Sequence, residues 1–143
     1  MLYLITLGMF LAYISIKDIF YRKIKNTDVL IVLVLSLLLC VTQQNTIHSY
    51  SFLMIATLTI LLVAIHAFAA GDSKLATALS VAIPFSELSL AIWVTLVVGG
   101  ILALFYWVKY RLYRRAARGQ DPGIPYGVAI SIGFYLSLLS SYL

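Results

Sequence analysis

Apolar residues run along this chain in stretches of about 15 to 21, the length an α-helix needs to cross roughly 30 Å of hydrocarbon, with short polar or basic segments between them. The first predicted helix is Leu2–Ile16, followed by the loop Lys17–Thr27, which carries Lys17, Asp18, Arg22, Lys23 and Lys25. The second is Asp28–Val41, with Asn26 or Thr27 as its N-cap, because either side chain can accept a free amide of the first turn. Gln43–Tyr50 is polar and separates it from the third, Ser51–Ala69. The fifth and sixth, Leu88–Val108 and Ile124–Leu143, flank the segment Lys109–Gln120. Gly99 and Gly100 allow the fifth helix to pack closely or to bend.

The fourth helix is the irregular one. Ala70-Gly71-Asp72-Ser73-Lys74 interrupts the apolar pattern after Ala69, and the apolar segment Leu75–Phe85 is ended by Pro84 and Ser86-Glu87. At 1.5 Å per residue that segment spans only about 16 Å, too short to cross alone. Either the fourth helix begins before Asp72, which carries an aspartate into the edge of the bilayer, or it is a broken helix of the kind tolerated where protein or water lines it.

Composition sharpens this picture. Hydrophobic residues make up 63% of the 143, charged residues 10%, and mean hydropathy is +1.04, against roughly 25% charged in soluble domains. The expectation is one all-α integral membrane domain, residues 1–143, with about six transmembrane helices in contact with a lipid bilayer. Met1–Ile16 has no basic residue before its apolar run and no small-x-small cleavage site before Lys17, so it reads as a retained first helix.

The basic residues set the orientation. The loops after the first, third and fifth helices hold four, one and five of the ten Lys and Arg, and those after the second and fourth hold none. Lys and Arg mark the cytoplasmic side, so the N-terminus and C-terminus both face outside. The formal charge of +5 is thereby explained by topology. The basic residues lack the aromatic-interleaved surface of a nucleic-acid binder, and no nucleic-acid partner is expected. Cys40 is the single cysteine, which excludes an intrachain disulfide and a four-cysteine zinc site. His48 and His66 are isolated along the chain. No metal and no cofactor are expected.

Candidate chemistry rests on two acids. Asp72 interrupts a long apolar run, and an ionisable group at such a place is a functional candidate. The topology puts Asp18, after the first helix, on the same face at similar depth. Two neighbouring carboxyls cannot both ionise easily, so they share a proton: the ionised one takes a proton from water as it attacks a peptide carbonyl, and the protonated one donates to the carbonyl oxygen. The blander reading makes Asp18 and Asp72 unrelated rim residues that neutralise nearby lysines. Arg22, Lys23 and Lys25 taken singly serve as orientation signals, and the tyrosines, Trp93 and Trp107 as interfacial anchors and packing.

At these residues the chain resembles a known family. Asp18-Ile-Phe-Tyr-Arg22-Lys-Ile24-Lys25-Asn26 is similar to the first aspartate motif of the type IV prepilin peptidases, in which Ile-Pro-Asn follows the aspartate at fixed spacing. Ala69-Ala-Gly71-Asp72-Ser-Lys74-Leu75 resembles their second, the GxGD motif followed by x-Lys. Pro125-Tyr126-Gly127-Val-Ala129-Ile130 resembles a third stretch in the family's last helix. The chain departs from the pattern at Lys25, where the family usually has proline, and at Ala69, where the motif has its first glycine.

The resemblance implies a bacterial inner-membrane, multi-pass aspartic endopeptidase that removes the short basic leader of a prepilin or pseudopilin at the cytoplasmic membrane edge. Asp18 and Asp72 would be the catalytic pair. Gly71 would let the backbone approach an extended substrate, and Lys74, Asn26 and Arg22 would tune the carboxyls or orient the loop. Pro125 and Gly127 would bring a small-residue surface near the site. The larger members add a cysteine zinc site and methylate the new N-terminus; this chain resembles the short peptidase-only branch of the tight-adherence (Flp pilus) enzymes, so no methyltransferase activity is expected. Pilus assembly machinery is a further expected partner. The rival readings are a non-catalytic scaffold of a pilus or secretion system that keeps the fold, and a small ion or proton transporter using the two aspartates as relay groups.

Overall fold

A computed structural model of the chain describes residues 2–42, 47–66, 68–113 and 124–142, and among these it is all-helical. Six helices follow in order: α1 Leu2–Tyr21, α2 Asn26–Thr42, α3 Ser49–Ala64, α4 Ala70–Ser80, α5 Phe85–Tyr113 and α6 Tyr126–Tyr142. Two of them, Leu2–Tyr21 and the Phe85–Lys109 part of α5, are long and apolar enough to cross a membrane; α2, α3 and α6 are apolar but shorter, at 17, 16 and 17 residues.

The helix ends differ from the sequence expectation for local reasons. Nothing between Ile16 and Tyr21 breaks a helix, so α1 runs on past Lys17 and carries Asp18 within it. It stops where Arg22 takes a left-handed conformation (φ 52°) while its amide still bonds to the Asp18 carbonyl at 3.0 Å. The start of α2 is capped by neither Asn26 nor Thr27. Asp28 in its first turn reaches back to the Lys25 amide (3.3 Å), the acidic half of a capping box, and also pairs with Lys17 of α1 at 2.6 Å. α3 ends at Ala64, short of Ala69, and His66 just beyond it is left-handed (φ 57°). At the other end of the chain, α5 continues to Tyr113 and so takes up Lys109 and Arg111. The expected loop residues Arg114, Arg115 and Arg118 lie outside the described residues, as do Gln43 to Thr46.

α4 begins before Asp72, with Ala69 as an extended N-cap (φ −78°, ψ 145°), yet at 11 residues it remains a short helix. Any residue adopts that conformation, so the backbone there asks for no glycine, and alanine fits. The chain stays helical in outline through tight turns to Ile83, then meets Pro84. Val81, Ala82 and Ile83 are buried, and the carbonyls freed at this end are taken up by neighbours: the Cys40 thiol and the His48 amide donate to Val81, and the Tyr142 hydroxyl to Ala82 at 3.0 Å.

α4 is the interior of the bundle. Most of its residues are buried, including Leu75 and Leu79, and it touches α2, α3 and α6. α1 packs on α2 and α6, α5 lies chiefly along α6, and α3 meets α5 only slightly. The α5–α6 contact depends on Gly133: a side chain there would run into the Thr95 hydroxyl and come within 2.7 Å of the Thr95 amide nitrogen. Gly99 similarly lets Tyr126 approach, whereas Gly100 faces open space. Gly133→Ala should therefore destabilise the protein by ~1–3 kcal/mol through forced separation of two helices, and Gly100→Ala should stabilise it by about 0.5–1 kcal/mol through helix propensity alone. Thermal unfolding of the two variants in detergent tests this; equal melting temperatures would contradict the packing.

Candidate active site

Three segments far apart in sequence meet where α1 ends and α4 and α6 begin. Asp18, in the last turn of α1, is 6% exposed, and Asp72, in the first turn of α4, is 7% exposed. The Asp18 charge acts on Asp72, so the two carboxyls belong to one electrostatic site. Asp18 lies within a helix and not in the expected loop.

Asp18 is held in place from α6. Its Oδ2 accepts a hydrogen bond from the Gly127 backbone amide at 3.0 Å, a buried contact. That amide lies in the first turn of α6, where N–H groups have no partner within the helix and the helix dipole favours a negative charge. Glycine is required by space: a Cβ at 127 would stand 2.7 Å from Asp18 Oδ2 and 3.0 Å from Ile24 Cδ1. Pro125, buried just ahead of α6, accepts from the Val128 amide at 3.3 Å and helps start the helix. Among the described residues no donor reaches the Asp72 carboxyl.

The remaining expected residues surround this pair. Gly71 faces inward: a Cβ there would meet Ile24 Cβ at 3.3 Å, so its missing side chain accommodates the loop after α1. Lys74 donates to the Asn26 side-chain carbonyl at 3.0 Å, tying the start of α4 to the start of α2. Asn26 thus joins two segments and does not cap its own helix. Arg22 lies over the Tyr106 ring at 4.7 Å, fastening the end of α1 to α5, and its charge reaches Asp18. Phe68, ahead of α4, packs on Tyr126 of α6 with ring centroids 5.7 Å apart.

Sequence reasoning missed three participants. Tyr106 and Asp28 carried no signal beyond their types, since their partners Arg22 and Lys17 are 84 and 11 positions away. Ile24 is part of the first motif, but its type gives no sign that it lies against both Gly71 and Gly127.

An all-helical fold with two buried carboxyls at one site, Asp18 at the end of the first helix and Asp72 at the start of a short central one, defines the class of the site. A model of the type IV leader peptidase family matches residues 5–104, and the chain belongs to that family. The match covers α1 through most of α5, including both aspartates; α6, which anchors Asp18, lies beyond it. No curated protein and no solved structure matches the chain.

The loop that brings the segments together depends on Asp28. Asp28→Ala removes both the Lys17 ion pair and the reach-back bond to Lys25, and should lower stability by roughly 1–2 kcal/mol. Asp28→Asn, which keeps an acceptor for the amide, should recover part of that loss in the same thermal unfolding measurement. No difference between Asp28→Ala and the parent would count against the clamp.

Proposed function

We propose that this chain is a membrane aspartic endopeptidase that removes the leader from type IV prepilins of the Flp, tight-adherence class, with Asp18 and Asp72 as its catalytic pair. The observation that carries this reading is the joint burial of the two carboxyls, one of them fastened by the Gly127 amide, in a chain of the type IV leader peptidase family. In the proposed topology six helices lie in the bacterial inner membrane, with α4, too short to span it alone, sheltered among the others; both termini lie outside, and the carboxyls sit at the cytoplasmic edge. The end of α1 and the start of α4 are then at one depth, as a shared site requires.

The chemistry needs one proton between the pair. The ionised carboxylate removes a proton from water as the water oxygen attacks the scissile carbonyl carbon, and the protonated carboxyl donates to the carbonyl oxygen. The resulting tetrahedral diol collapses when a carboxylate takes back a hydroxyl proton and the leaving nitrogen is protonated, which releases leader and mature pilin. Burial strengthens each of these transfers because charges interact more strongly where water is excluded. The proposed activity is that of a peptidase only, without N-methyltransferase activity.

Co-expression with an Flp-type prepilin tests the reading, with leader removal followed as a gel shift and confirmed by N-terminal sequencing. The parent chain should cleave, and Asp18→Ala and Asp72→Ala, accumulated to equal levels, should each lose cleavage by about a thousandfold or more. Cleavage by either variant at the parent rate would overturn the pair assignment. The cleavage rate should also be bell-shaped in pH: at low pH both carboxyls are protonated and no base remains, at high pH both are ionised and no acid remains. A rate that rises to a plateau without falling would argue for a single carboxylate.

A further inference from the structure

Ile24 stands between the two glycines of the site. The three nearest atoms to a Cβ built on Gly71 all belong to Ile24, its Cβ at 3.3 Å, its carbonyl oxygen at 3.7 Å and its Cγ1 at 4.0 Å. On the other side, Ile24 Cδ1 is 3.0 Å from the space a Cβ would take at Gly127, next to the Asp18 carboxylate. The isoleucine therefore fills the gap left by two absent side chains, one at the start of the helix that carries Asp72 and one at the start of the helix that holds Asp18.

Its own position is fixed from both ends of a four-residue connection. Before it, the Arg22 amide bonds to the Asp18 carbonyl at 3.0 Å and the guanidinium lies on Tyr106; after it, the Lys25 amide is held by Asp28. Ile24 is half-buried and packs against the hydrophobic core. A β-branched side chain is stiff about χ1, so the Cβ and Cγ1 beside Gly71 move with the Ile24 backbone, and the Cδ1 they carry to Gly127 is left only rotation about χ2.

We infer that Ile24 is a positioning residue for the carboxyl pair: wedged between Gly71 and Gly127, it sets the spacing between Asp72 and the amide that holds Asp18. This rests on the reading of Asp18 and Asp72 as the catalytic pair. A residue that merely filled the core would affect stability and leave turnover of the folded enzyme unchanged. A spacer affects kcat, because misplacement of reacting groups by about 1 Å lowers rates by up to roughly a hundredfold, while the surface that binds substrate, and so KM, is left as it was.

The test uses the full chain in liposomes with an Flp-type prepilin, measuring kcat and KM for leader removal, with Asp72→Asn as the blank. Ile24→Ala should lower kcat roughly 10- to 100-fold with KM within about twofold of the parent. Ile24→Val, which loses only the Cδ1 beside Gly127, should show a smaller fall of the same kind. Gly71→Ala should lower kcat in the parent background by pushing on Ile24, and should add little when combined with Ile24→Ala, which keeps the Cβ beside residue 71 but removes the Cδ1 that passes the push to Gly127. Parent kcat in Ile24→Ala, or losses that multiply in the double variant, would overturn the inference. If Ile24→Ala does not accumulate, Ile24→Val decides alone: a lowered kcat at unchanged KM supports the spacer, and a parent kcat rejects it. Cleavage by Asp72→Asn would instead sink the carboxyl-pair reading, and the spacer with it.

Discussion

The hydrogen bond from the Gly127 amide to Asp18 is the interaction on which the arrangement of the site depends. A carboxylate among apolar helices is strongly disfavoured unless donors replace the water it has lost. Here the donor is a backbone amide at the start of α6, a group that would itself be unsatisfied without an acceptor. Each end of the bond thus meets the other's need. The partners are 109 residues apart, so the bond can form only when α1 and α6 lie together and residue 127 carries no side chain. The packing of α6 on α1 and of α5 on α6, which relies on Gly133, is in this sense a condition for placing Asp18.

Asp72 is placed by different means. α4 is short and buried, and its polar start faces the same region as Asp18 while its other end is secured by Cys40, His48 and Tyr142 through the carbonyls of Val81 and Ala82. A helix held at its far end and packed on three neighbours has little freedom to tilt. The rigidity of the second carboxyl therefore comes from the opposite end of the helix, and the contacts near it, Lys74 with Asn26 and Gly71 with Ile24, decide its distance from α1 and α2.

The sequence made Asp72 legible because it breaks an apolar pattern, and interruptions of that kind show in one dimension; Asp18 was legible only through the loop topology that sets it on the same face and through the motif it belongs to. Helix existence was legible from the apolar pattern itself. Helix ends were not: α1 continues through Lys17 and Asp18 because charged residues are good enough helix formers, and hydropathy does not see the hydrogen-bond ladder. The capping of α2 fell to Asp28 and not to Asn26 because Lys74, 48 positions on, competes for the Asn26 side chain. Gly71 reads in the sequence as room for a substrate, whereas its open side is occupied by Ile24. What a glycine makes room for is a property of the tertiary contact, and no spacing along the chain reports it.

The basic residues around the site bear on how a basic leader could approach it. Lys17, Arg22, Lys23, Lys25 and Lys74 all lie within seven residues of Asp18 or Asp72, a concentration of positive charge that by itself would repel such a peptide. Several of these are committed internally: Lys17 is paired with Asp28, Lys74 with Asn26, and Arg22 with the Tyr106 ring. Lys17 keeps its charge, but the Asp28 carboxylate beside it lowers the field it projects; the charges of Lys74 and Arg22 are directed towards the protein. At physiological ionic strength exposed charges more than about 8 Å apart are largely screened, so the residual repulsion is short-ranged. Under the proposed function, recognition then draws mainly on the apolar helix of the pilin packing beside these helices, and the leader has only to be tolerated. The electrostatics that matter most for such an enzyme are those between its two buried carboxyls, where no salt penetrates and a spacing fixed by side-chain packing controls how tightly the shared proton is held.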